Sequence, residues 1–134
     1  MRVYIGPYPE EGEREIEVKV HDYDAWGVDH TLSLIIVPVL QKLRSQLHGA
    51  PCLEPHEVPE DLQSYVEDED WTKDDEHHKM NIFRTWENIL DEMIWAFSQI
   101  QEDEDDQLFA YREHQERIDR GCELFGKFYR NLWD

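Results

Sequence analysis

Alternation comes first along the chain. In "REIEVKVHDY", Ile16, Val18 and Val20 fall on one side and Glu17, Lys19 and His21 on the other. A period of two is that of a half-buried strand. "RVYIG" upstream reads as a second short strand, and "PYPEEGE" between them carries the Pro and Gly of a loop. Residues 2–23 therefore predict a β-hairpin. A lone hairpin is marginal in water, so its apolar face is expected to rest on helices.

The period then changes. Gly27 is the expected N-cap of a helix over about 27–48, with Val28, Asp29 and His30 in its first turn. At ~100° per residue, Leu32, Ile36, Val39, Leu40, Leu43 and Leu47 share one broad face, with Leu34 and Val37 outside it. A helix apolar on most sides is expected to be central and covered by several elements. Pro38 should bend it. "HGAP" should stop it, with Gly49 as a left-handed residue.

A second helix is expected over about 77–101. Ile82, Phe83, Trp86, Ile89, Leu90, Met93, Ala96, Phe97 and Ile100 form its apolar arc. Trp95 falls outside the arc, to be covered by its own chain or by a partner. A third helix, about 107–132, carries Tyr111, Ile118, Cys122, Phe125, Tyr129 and Leu132 as a stripe. Glycine costs ~1 kcal/mol in a helix interior relative to alanine. Gly121 borders the stripe, and close approach of another backbone is the expected reason for it. The aromatic ending "FYRNLWD" is expected to dock, Trp133 included. Together these elements predict one α+β domain over residues 1–134, mainly α: three long helices with the N-terminal hairpin packed on them.

Charge changes this picture most. The chain has 32 acids and 13 bases, for a net charge of −19. Such a field repels nucleic acid and anionic membranes and attracts basic protein surfaces. Residues 54–76 hold eleven acids and one base, Lys73, while residues 102–106 are all acidic. An acidic loop of about 50–76 is expected to have little regular structure, and its 54–76 part, with Pro55 and Pro59, to be flexible. Cys52 and Cys122 make no disulfide framework and read as reduced thiols. The longest apolar block, "LIIVPVL", is far short of the ~20 residues of a membrane span. The N-terminus has no stretch apolar enough for a signal peptide. A soluble intracellular protein is expected.

Three blocks, "YDAWGVDHTLSLIIVPVLQKLRSQLHGAP", "LDEMIWAF" and "HQERIDRGCELFGKFYRNLWD", together resemble a family of small proteins encoded by tailed bacteriophages. Family members differ mainly in the acidic middle and in the stretch after the second helix. The resemblance implies a phage origin and a role in the cytoplasm of the infected host, and it lends no catalytic residues.

Candidate chemistry is sparse. Asp24, Asp29 and His30 stand at the mouth of the first helix, Glu92 flanks the arc of the second, and His114 borders the stripe of the third. If three helices bring them together, carboxylates and imidazole suit a divalent metal. Otherwise Asp29 complements the helix dipole and the histidines belong to a buried polar network. "WENILDEM" places Glu87, Asp91 and Glu92 on a helix and loosely resembles the all-α nucleotide pyrophosphohydrolases. It lacks their paired Glu-x-x-Asp pattern. Adjacent His77 and His78 point ~100° apart and read as a solvated helix start. No Gly-x-Ser-x-Gly, phosphate loop or Cys-x-x-Cys is present.

No catalytic residue and no cofactor are therefore expected, with a divalent metal as the one candidate. The first expectation is a protein that binds a host or phage protein with a basic surface, with inhibition of a basic or nucleic-acid-binding target as one outcome. Trp95, Glu102, Asp103, Glu104, Asp105 and Asp106 are its candidate contacts. The second is a metal- or nucleotide-binding, hydrolytic helical protein. The third is an oligomeric structural protein, with Trp95 and the C-terminal aromatics at a self-interface.

Overall fold

The computed structural model describes residues 1–64, 75–102 and 111–134. It is the mainly-α α+β fold expected: an antiparallel hairpin followed by three helices. Strands β1 (Arg2–Ile5) and β2 (Ile16–Lys19) pair in the register Val3 to Val18 and Ile5 to Ile16. A 3-10 turn, Asp22–Trp26, leads into α1 (Val28–Ser45). Helices α2 (Glu76–Glu102) and α3 (Arg112–Phe128) follow, and a 3-10 turn over Tyr129–Asn131 ends the helical part.

Helix starts follow the local chemistry. Gly27 is the N-cap of α1, and its carbonyl accepts the Thr31 N–H. Asp75 opens α2: its Oδ1 accepts the His78 N–H at 2.7 Å, satisfying one donor that a helix start leaves open. Helix α1 stops at Ser45 with Gln46 as C-cap, and Gly49 is not left-handed as expected. Among the described residues Gly12, in the hairpin loop, is the glycine with positive φ.

The central helix is α2, not α1. It packs against α1 on one side and α3 on the other. Trp86, Ile89, Leu90 and Met93 are at most 1 % exposed, and Leu40, Leu124 and Phe128 close over them from the flanking helices. Of the face expected of α1, Leu40 is buried and Ile36, Leu43 and Leu47 pack against the core, but the helix is turned toward Val37. Ser33, Val37 and Leu40 point into the core, while Leu32 and Val39 stay exposed. The expected stripe of α3 holds at Ile118, which is buried, and at Cys122, Phe125 and Leu132, which pack against the core, but Leu124 and Phe128 are buried too while Tyr111 and Tyr129 are exposed.

Part of the acidic loop is a core element. Leu53, Val58 and Leu62 are buried, held by 3-10 turns at Pro55–Glu57 and Glu60–Leu62. Asn88 Nδ2 donates to the Leu62 carbonyl at 3.0 Å, and Ser64 N–H donates to Thr85 Oγ1 at 3.0 Å. The flexibility expected from residue 54 on does not hold over 54–64, because Val58 and Leu62, with Leu53 just before them, anchor the stretch. Residues 65–74 of the same loop lie outside the described residues.

The hairpin also departs from expectation, in its packing. Val3, Ile5, Ile16 and Val18 share one face by their pairing, and they are 38 to 64 % exposed. Among the described residues no helix packs on that face. Trp133 is exposed too. The C-terminus is tied instead by Asp134, whose carboxylate accepts the His48 N–H at 2.8 Å and meets His48 Nδ1 at 2.7 Å.

Candidate functional site

The expected metal cluster does not assemble. Asp24 accepts the His21 N–H at 2.8 Å and pairs with the Met1 amino group at 2.8 Å. That amino group, with the His21 N–H, holds the Asp24 carboxyl below its usual range. Asp29 and His30 are exposed on the first turn of α1, so they form no buried polar network. His114 lies edge-on to Trp95, with centroids 5.4 Å apart. Among the described residues no three His, Cys, Asp or Glu side chains are grouped so as to hold a metal ion. Glu87 and Asp91, the pyrophosphohydrolase-like pair, both bind Arg44 of α1, at 2.6 and 3.0 Å.

Glu92 has a different role from the one its sequence position suggested. It is 5 % exposed and sits at the α2–α3 contact. Arg117 donates to both of its oxygens, at 2.9 and 3.1 Å, and Arg120 adds a bond of 2.8 Å. Arg120 reaches on to Asp61 of the acidic loop at 2.7 Å. Burial pushes the Glu92 carboxyl up, and the guanidinium hydrogen bonds outweigh it, so its pKa lies below the ordinary glutamate value. Two arginines three apart on α3 face the same side, which is the sequence signal for this network. The sequence does not show which group they share, because that partner is buried on another helix. The arrangement joins α2, α3 and the loop, and two guanidinium groups take three of the carboxylate's about four acceptor sites.

Trp95 is half-buried beneath its own chain. The Arg117 guanidinium stacks over its ring at 3.8 Å, a cation–π contact that also positions the arginine for Glu92. Glu102 is exposed at the end of α2, while Asp103, Glu104, Asp105 and Asp106 lie outside the described residues. His78 is buried rather than solvated. Burial raises the Cys122 pKa, and Asp119 and Glu123 add to it, so the thiol stays protonated and a poor nucleophile.

An open cleft of about 300 Å³ lies between residues 56–59 and α3, at Arg120, Glu123 and Lys127. Its cations are engaged: Lys127 Nζ donates to the Glu57 carbonyl at 2.9 Å, and Arg120 holds Asp61 and Glu92. The cleft therefore offers no ready anion site.

The feature that periodicity missed is the N-terminal third. Tyr23 and Trp26 are 80 and 85 % exposed and touch each other, with ring centroids 5.6 Å apart. They adjoin the exposed apolar face of the hairpin in sequence. The Gly6 N–H donates to the Glu15 carbonyl at 2.8 Å, which makes this a hydrogen-bonded pair. By the antiparallel alternation, the backbone polar groups of Val3, Ile5, Ile16 and Val18 point away from the ladder. Among the described residues no further strand pairs with either edge, beside an exposed apolar face. Monomeric surfaces seldom leave such a combination uncovered.

Set against known protein families, curated proteins and solved structures, the chain matches none of them. Among the described residues no helix is long and apolar enough to cross a membrane.

Proposed function

We propose that this protein acts by binding another protein rather than by catalysis, and that it binds through the hairpin and the Tyr23–Trp26 turn. The carrying observation is the exposed apolar hairpin face and, close after it in sequence, two nearly bare aromatic rings. Exposed rings of this kind bury ~150–250 Å² each when covered. With the strand side chains they approach the ~800 Å² per partner of a standard interface. The surrounding charge favours a basic partner, since residues 1–31 hold eight acids and three bases. An apolar patch on a basic protein would find both its centre and its rim matched. The same field disfavours nucleic acid as the direct ligand.

The resemblance to tailed-phage proteins supports a host or phage partner in the cytoplasm of an infected bacterium, with inhibition of a nucleic-acid-binding target as the outcome. The test is capture from infected cells with the tagged chain as bait. The wild type should retain one basic protein that Ile16→Lys/Val18→Lys and Trp26→Ala fail to retain. Equal recovery by all three chains would remove the hairpin from the interface.

A further inference from the structure

The two edges of the hairpin differ in what they offer. Ile16 and Val18 of β2 turn their N–H and C=O groups outward, as the alternation from the Gly6–Glu15 pair requires. Val20 comes next in that alternation, and the three side chains are 64, 56 and 64 % exposed. The register runs from Arg2–Lys19 to Ile5–Ile16 without a bulge, and residues 12–21 hold no proline. On β1 the outward positions are Val3 and Ile5, and Pro7, next in line, has no N–H to give. The edge of β2 is therefore the longer one.

Those outward groups decide the form of the occupant. A helix laid against Ile16 and Val18 would strip water from their N–H and C=O groups and return no hydrogen bond, because its own backbone is already satisfied. An extended chain answers each donor with an acceptor, and sets every second side chain beside Ile16 and Val18.

Charge decides its composition. Glu15 and Glu17 alternate with Ile16 and Val18, so they lie on the other face of β2. Glu10, Glu11 and Glu13 lie in the loop just before them. The nearby bases are engaged: Arg14 stacks over Tyr8 at 4.2 Å and donates to the Gly6 carbonyl, and Lys19 pairs with Glu17 at 3.2 Å. Among the described residues Glu10, Glu11, Glu13 and Glu15 have no cation. β1 carries Arg2 and Tyr4 on its polar face, and no acid. A basic strand therefore finds its opposite charges along β2, where like acids of a second copy would be repelled.

We propose that the partner adds an extended strand to the outer edge of β2, its apolar side chains at alternate positions beside Ile16 and Val18, and lysines or arginines between them facing the acids. This rests on the hairpin being the binding surface, and adds the form and composition of what binds there. β2 is four residues long, so an isolated strand binds it weakly.

The probe is a synthetic peptide of about eight residues, within the length of an ordinary strand, in which valine and lysine alternate. Titrated to ~1 mM, which reaches weak affinities, it should slow hydrogen exchange at the Ile16 and Val18 amides and leave Val3 and Ile5 unchanged, as followed by NMR. The same peptide N-methylated throughout keeps its side chains and charge and loses its donors. It should bind about tenfold more weakly or less, as should a peptide alternating valine and glutamate. Val18→Pro removes an outward N–H without touching the bonds between β1 and β2, since proline is tolerated at a sheet edge, and it should weaken the valine–lysine peptide as much. If that variant loses the hairpin, the three peptides on the wild-type chain still decide. Unslowed exchange at Ile16 and Val18 overturns the proposal, as does equal binding of the N-methylated or the glutamate peptide. Protection of those amides that grows with the chain's own concentration, without peptide, also overturns it in favour of a second copy. The hairpin reading is judged separately, by capture: a partner kept by a folded Val18→Pro and lost by Ile16→Lys/Val18→Lys retains the hairpin and ends strand addition.

Discussion

Gly121 and Gly126 sit on the same helix and meet opposite surroundings. A Cβ on Gly121 would lie 2.2 Å from the Ala96 Cβ and 3.1 Å from the Glu92 carbonyl oxygen, whereas one on Gly126 meets nothing within 4 Å. Gly121→Ala should therefore destabilise by ~1–2 kcal/mol despite alanine's better helix propensity, since overpacking outweighs it. Gly126→Ala should stabilise by ~0.5–1 kcal/mol. Urea denaturation midpoints of the two variants should move in opposite directions. The close approach at Gly121 was legible in the sequence, because a costly glycine beside an apolar stripe calls for a reason. The Glu92 network was not, because arginines give no sign of a buried partner on another helix. Glu92→Gln should cost ~3 kcal/mol, at the low end for a broken buried pair, since Arg117 and Arg120 keep partial access to water. Because the folded Glu92 pKa is depressed below 4.5, its contribution is present above that pH and is lost as pH falls through the folded value. Stability measured from about pH 6 to about pH 3 should therefore fall less steeply in Glu92→Gln than in the wild type.

The elements were recognisable by period, and their faces less so. α2 shows one arc that the core follows, since polar side chains fill most of its other side. α1 is apolar on almost every side, so periodicity had no means of choosing Val37 over Val39. The choice is made by α2, which takes Val37 and Leu40 and leaves Val39 outside. The same reasoning separates buried from exposed substitutions. Leu40→Ala should cost ~2–4 kcal/mol, the range for a large core side chain cut to alanine. Ile16→Lys and Val18→Lys should stay within ~0.5 kcal/mol of the wild type, as surface substitutions do. Thermal melts of the three variants check this. A large loss in the hairpin variants would mean that the helices do cover that face.

For the whole molecule, charge and apolar surface divide the work. The core is built around α2, and the acids lie mostly beyond residue 50 and along the hairpin rim. Acidity was plain from composition. Its companion, an uncovered apolar face, was hidden because alternation in a strand predicts burial and says nothing of whose side chains supply it. If the acids steer a basic partner, association should slow as salt rises, since the screening length falls from ~10 Å at 0.1 M to ~3 Å at 1 M. Stopped-flow rates across a salt series measure this, and a flat response would leave acidity to serve solubility alone.

The central claim, that the chain binds another protein at its N-terminal hairpin, is tested most directly by photo-cross-linking in cells that produce the chain. A photoreactive residue replaces Trp26 in one chain and Glu116, exposed on α3, in another. Adducts to a basic protein should form from position 26 and be weak or missing from position 116. Adducts confined to position 116, or none from position 26 in a folded chain, would contradict the claim.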